Sequence, residues 1–253
     1  MPLSRQDSRG ARPSATLRVC PHEIAPSPYT PGQTRPSIEK HKYPMTRPLL
    51  LFAPGHRRMG SAISGPSSSR WMRAWRERLL ALGDVAVFDY PYASPVGSPD
   101  LLPKLITAHR EALAEARQGL LGPVPGGGER PVVLVGKAGF GTRVGCHVAL
   151  EDNVQALVCL GYPLRAGKGT RPDAEVLLKL QTPILFVHGE RDARFPPHLL
   201  AEARTQMSAP SELHVVEDAN HNLEVPDRQS QEDVNREIVE TIGAFIQRYA
   251  TSQ

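Results

Sequence analysis

Asp192 and His221 are the residues of this chain best suited to chemistry. Asp192 closes the stretch His188-Gly189-Glu190-Arg191-Asp192, and His221 lies in Glu217-Asp218-Ala219-Asn220-His221-Asn222; each stretch directly follows an apolar run. A loop carboxylate can orient an imidazole and stabilise its charged form. The imidazole can then take a proton from a nucleophile and return it to a leaving group. Each residue also has a plainer reading. An Asp after a glycine commonly closes a turn or caps a helix, and a loop His is commonly just a solvated side chain. The two in this order, each just past a strand-like run, favour the chemical reading.

A third stretch, Gly136-Lys137-Ala138-Gly139-Phe140-Gly141-Thr142-Arg143, follows the apolar run at 132–135. A glycine-rich strand-to-helix turn of this kind can lift a nucleophile above a sheet, toward the N-terminus of the next helix. No serine stands in it. Thr142 is the nearest hydroxyl but falls past the turn, and Cys146, one helical turn on, is expected to face the core. Backbone N–H groups at a helix start also bind phosphate, yet neither G-x-G-x-x-G nor G-x-x-x-x-G-K-[ST] is present, which argues against nucleotide binding.

The elements that must position these loops are legible from Arg47 onward. Leu49–Ala53, Val85–Phe88, Val132–Val135, Ala156–Leu160 and Ile184–Val187 are short, continuous apolar runs bounded by turn residues, as suits strands covered on both faces. Leu213–Val216 is a more polar sixth run, expected near an edge. Between the runs, Trp71, Trp75, Leu79 and Leu82 recur at helical spacing, as do Leu105, Ala108, Ala112 and Ala116. Val234, Ile238, Ile242, Phe245 and Ile246 form a third helical face. The alternation predicts an α/β fold: a mainly parallel sheet of about six or more strands flanked by helices, with right-handed crossovers and no large lid. Functional groups are then expected in loops at the carboxyl ends of the strands. Residues 121–130 read as a surface connection.

Composition narrows the function classes. Residues 1–47 hold eight Lys or Arg against three Asp or Glu, so the remaining 22 bases face 23 acids. The basic character thus belongs to the start of the chain, and the rest offers no electrostatic case for nucleic acid. Residues 1–46, rich in Pro, Ser and Arg, are expected to be a disordered tail, with residues 47–253 as the folded domain. An organellar transit peptide is the alternative reading of that tail. No apolar run is long enough to span a membrane. Cys20, Cys146 and Cys159 are too few and too scattered for a disulfide framework or zinc site. A reducing, cytoplasmic setting with no metal and no cofactor is expected.

Several strings resemble a known family. They are Phe52-Ala53-Pro54-Gly55, Gly65-Pro66-Ser67-Ser68-Ser69 before Trp71-Met72, Phe88-Asp89-Tyr90-Pro91-Tyr92, Leu134-Val135-Gly136-Lys137, Leu160-Gly161-Tyr162-Pro163-Leu164, the 186–192 stretch ending at Asp192, and Glu212–Val216. The chain resembles the α/β-hydrolase-like family that includes testis-expressed protein 30 and the third regulatory subunit of the nonspecific lethal complex, with dienelactone-hydrolase-like members in bacteria and plants. The resemblance covers about residues 48–250 and implies an α/β-hydrolase fold. It also implies a serine ester or acyl hydrolase frame with Asp192 as acid, His221 as base, and Gly55 and Phe140 at an oxyanion pocket. Two departures stand out. The family's turn reads G-K-S-M-G-x-R, whereas this chain is one residue longer and has Ala138 or Gly139 at the nucleophile position, depending on the side from which it is aligned. The segment His56–Ser64 also carries an insertion. The expectation is therefore a hydrolase frame that retains acid and base but has lost its nucleophile; the alternative is a non-catalytic binding or scaffold protein. An ester-like small molecule is the expected ligand, and no protein partner is assigned.

Overall fold

The computed structural model describes residues 16–19, 47–55, 68–90, 101–119, 129–164, 172–193, 196–227 and 230–250. The 56–64 insertion and residues 121–128 of the surface connection lie outside them. The apolar runs become strands because contiguous Val, Leu and Ile need cover on both faces. These strands are β2 (Leu49–Ala53), β3 (Asp84–Asp89), β4 (Val132–Lys137), β5 (Ala156–Leu160), β6 (Ile184–Gly189) and β7 (Ser211–Val216). Every residue of β2, β4, β5 and β6 is buried.

The sheet order is β1-β3-β2-β4-β5-β6-β7, with β2 to β7 mutually parallel. β7 takes the edge, as its polar composition predicts, and Val215 is exposed there. The other edge corrects the sequence reading. Within the tail expected to be disordered, Thr16–Val19 forms β1, paired antiparallel with β3 through Thr16↔Asp89 to Val19↔Ala86. An open edge of β3 offers a row of unpaired N–H and C=O groups, and Thr-Leu-Arg-Val is a segment of adequate strand propensity to fill it.

Two layers of helices cover the sheet. On one face, α1 (Arg70–Leu79) and α6 (Gln231–Tyr249) pack on Leu50, Phe52, Val133, Val135 and Val187. On the other lie α2 (Leu101–Gly119), α3 (Phe140–Val148), α4 (Pro172–Lys179) and α5 (Pro197–Arg204), against Leu49, Leu51, Leu134, Leu157 and Phe186. The periodicity of α1, α2 and α6 is visible in sequence; α4 and α5 are too short to show one. Ser69 starts α1 by accepting the Met72 N–H at 3.2 Å, a cap of the usual hydroxyl type. At the amino ends of the strands, Asp84 receives both Arg47, at 3.3 Å, and Arg130.

One polar pair sits inside the α2 layer. Tyr90, at the end of β3, meets His109 Nδ1 through its hydroxyl at 2.9 Å, beside Phe88. Burial pushes the His109 pKa from 6.5 down to about 3, so the folded protein holds a neutral imidazole. The unfolded chain binds a proton there below about pH 6.5 and the folded chain does not until about pH 3. Stability from this residue is therefore complete above pH 6.5 and declines on acidification through that window, by at most about 1.4 kcal/mol per pH unit. Removing both polar partners in a Tyr90→Phe, His109→Phe double variant should flatten the acid limb. Urea midpoints measured between pH 7 and 4 check this; an unchanged slope would contradict it.

Candidate functional site

The carboxyl ends of β4, β6 and β7 bring the three sequence-selected loops together. The β6 and β7 ends are paired in register through His188↔Val215 and Gly189↔Val216. Beyond them the loops touch backbone to backbone: a Cβ on Gly189 would lie 2.3 Å from Asn220 O and 2.4 Å from Ala219 O. Only glycine permits so close an approach. The Glu190 N–H donates to Val216 O and the Arg191 N–H to Ala219 O, both at 2.9 Å. This seam carries Asp192 to His221, whose Nδ1 stands 2.8 Å from Asp192 Oδ2.

The environments of the two differ. Asp192 is 3 % exposed, so its carboxylate requires hydrogen-bonded partners. The His221 side chain keeps 22 % exposure. With Nδ1–H donated to the carboxylate, Nε2 remains the basic nitrogen, directed away from Asp192. The His221 loop is shaped by a residue that sequence reading passed over. The Asn220 side-chain oxygen accepts the N–H groups of Asn222 at 2.7 Å and Glu224 at 3.2 Å, a local turn of the Asx kind. Asn before the His was the available signal.

The turn after β4 has its sharpest residue at Gly139. Gly139 has φ 67° and ψ −113° and is the N-cap of α3, whose first residue is Phe140. Ala138, the first turn residue after β4, is still tied to β5, its N–H donating to Leu160 O at 2.9 Å. The sharp, left-handed turn therefore falls at Gly139, and glycine adopts it freely. A Cβ built on Gly161 would lie 3.5 Å from Ala138 Cβ and 4.0 Å from His221 Cε1, so the β4 turn and the imidazole face the same small volume. Gly55 reaches that turn as well: its own Cβ would stand 2.7 Å from Ala138 O.

Among the described residues, the hydroxyl and thiols nearest this turn point elsewhere. Thr142 is buried in α3 with Oγ1 3.5 Å from Gly139 O. Cys146 and Cys159 are buried in the core. Burial first, then the neighbouring Cys146 thiol, holds the Cys159 thiol well above its ordinary pKa, which leaves it protonated and unreactive. Lys137 and Trp71, to which sequence reading gave no role in the site, lie against the His221 loop: Lys137 Nζ donates to His221 O at 2.9 Å and Trp71 Nε1 to Asn222 O at 2.8 Å. A groove of about 940 Å3 between α1, the 218–226 loop and α6 is lined by Trp71, Arg78, Asn222 and Glu232 among others. Ala138, Gly139 and Asp192 do not line it, so it flanks the site without being part of it.

A parallel sheet covered on both faces, with a left-handed turn before α3 and a His–Asp contact past β6 and β7, defines the α/β-hydrolase fold. The chain belongs to the alpha/beta hydrolase domain family, whose model matches residues 61–247. Among solved structures it is similar to an alpha-beta serine hydrolase homologue from Coxiella burnetii, with TM-score 0.58 and 17 % identity, covering 80 % of this chain and 86 % of that one. A dienelactone hydrolase from Anabaena variabilis matches with TM-score 0.58 and 18 % identity over 81 % and 88 % of the two chains. An esterase from Pyrococcus furiosus matches with TM-score 0.59 and 14 % identity over 81 % and 84 %. At these identities the likeness is one of fold. Protein sumv-2 of Caenorhabditis elegans is 32 % identical over 123 residues, 46 % of this chain. That match spans only 11 % of the length of sumv-2. No helix among the described residues is long and apolar enough to cross a membrane.

The seam at Gly189 is testable. Gly189→Ala must move the backbone at Ala219 and Asn220, and a loss of about 1–3 kcal/mol is expected, as for overpacked interiors. Urea denaturation measures it; a loss below about 0.5 kcal/mol would show that the loops part easily.

Proposed function

We propose that this chain derives from a serine ester or acyl hydrolase and has lost the covalent route while keeping the proton-transfer pair. Asp192 orients His221, Gly139 stands at the nucleophile position, and N–H groups near Gly55 and Phe140 serve as the oxyanion pocket. The observation that carries this reading is the 2.8 Å Asp192–His221 contact beside a turn, Ala138-Gly139-Phe140, that carries no nucleophilic side chain. The unit concerned is residues 47–253, and the finer kinship is with the relatives of testis-expressed protein 30 and the nonspecific lethal complex subunit. The strings around Asp89, Gly161 and Asp192 support that kinship.

Without a hydroxyl at 139 no acyl-enzyme forms. The remaining reaction is attack by water. His221 Nε2 takes a proton from a water molecule, whose oxygen adds to the acyl carbon. The tetrahedral oxyanion is held by backbone N–H groups, and the proton then passes from His221 to the departing alkoxide. Such general-base assistance accelerates hydrolysis by about 10²–10⁴-fold at most, so the site is a binder of ester-like ligands with slow turnover.

Hydrolysis of a short p-nitrophenyl ester by the full chain should be slow, without a burst, and abolished in His221→Ala. The Gly139→Ser variant should gain about 10²-fold or more and acquire a burst of one acyl group per protein. A burst in the unaltered protein would overturn the reading. No turnover in either protein, with ester-like ligands still bound, would favour the binding or scaffold role instead.

A further inference from the structure

Lys137 is 9 % exposed, and a buried ammonium is retained only where its charge is met. Its stem passes beneath Gly55, whose Cβ would lie 3.5 Å from Lys137 Cγ. Its Nζ donates to the carbonyl of His221 at 2.9 Å and stands 4.3 Å from the centre of the Trp71 ring. Trp71 in turn donates its indole N–H to the next carbonyl, that of Asn222, at 2.8 Å. Phe52 and Trp75 hold the indole from the core side, at 6.3 and 5.5 Å between ring centres. Two consecutive carbonyls of one loop are thus held by two side chains that also contact each other. One side chain starts from the β4 end and the other from α1.

We propose that Lys137 and Trp71 form a clamp that sets the position of His221 over the β4 turn, and that both are positioning residues for the proton-transfer pair. The inference rests on the reading of Asp192 and His221 given above. A cation over an indole face is attracted by the ring quadrupole, and a charge-assisted hydrogen bond is about twice as strong as a neutral one. The clamp therefore opposes rotation of the loop away from Asp192. It also ties the β4 turn to the histidine loop without passing through Asp192, so His221 is held from two independent sides.

The test is nuclear magnetic resonance of the full chain labelled at histidine nitrogen, following the downfield Nδ1–H proton of His221. Asp192→Asn serves to assign it. In Lys137→Met, which keeps an unbranched stem but has no donor, opening of the His221–Asp192 contact should become about tenfold more frequent or more. That is the factor expected for the loss of one charge-assisted hydrogen bond, and it is seen as faster solvent exchange of this proton. Lys137→Arg should restore slow exchange. Trp71→Phe, which keeps a ring but loses the N–H, should fall between and serves as the second variant if Lys137→Met does not fold. Thermal melts of each variant separate local release from general loosening.

Unchanged exchange in both Lys137→Met and Trp71→Phe overturns the clamp. A proton absent from the unaltered protein shows that the pair itself does not form, which overturns the proposed function and the clamp together.

Discussion

The in-register parallel pairing of β6 with β7 is the constraint on which the site depends. Parallel strands end side by side at their carboxyl termini, so the loops that follow them start as neighbours. Here the pairing runs to Gly189↔Val216, and the next residues of each chain segment continue as a seam of backbone hydrogen bonds. A buried carboxylate then meets an imidazole because the two backbones cannot diverge. The contact owes little to side-chain reach and much to this register.

The core explains why chemistry collects at one end only. With β2, β4, β5 and β6 wholly buried, their faces have no room for polar side chains except at the rims. At the amino rim, Asp84 gathers arginines that bind neighbouring strand starts together. At the carboxyl rim lie Lys137, Asp192 and His221, each engaged with another loop, and Asn220, which shapes its own. The same sheet thus has a rim of strand-tying ion pairs and a rim that gathers a carboxylate, an imidazole and an ammonium.

Much of this could be read from the chain. Six strands announce themselves as apolar runs, because a doubly covered strand needs no polar alternation. Asp192 and His221 could be picked out because each follows such a run. The β1 strand could not, since Thr16–Val19 sits in a Pro- and Arg-rich segment and its partner is some seventy residues away. Ala138 and Gly139 were equivalent by spacing, and the left-handed backbone at Gly139 could not be read from the sequence. Lys137 and Trp71 lie 66 positions apart in sequence, one on a strand and one on a helix. No periodicity links them, and their shared hold on the histidine loop emerges only when the fold superposes their side chains.

The left-handed turn at Gly139 also has a historical implication. A residue with a Cβ pays about 1–3 kcal/mol to sit there, and glycine sits there without that cost. On the proposed reading, a lineage in which this position becomes glycine gains stability at the moment its covalent chemistry disappears. The reverse step must be taken against a stability loss, in a protein whose total margin is of order 5–15 kcal/mol. A turn of this shape therefore acts as a ratchet: function is shed downhill and recovered only uphill.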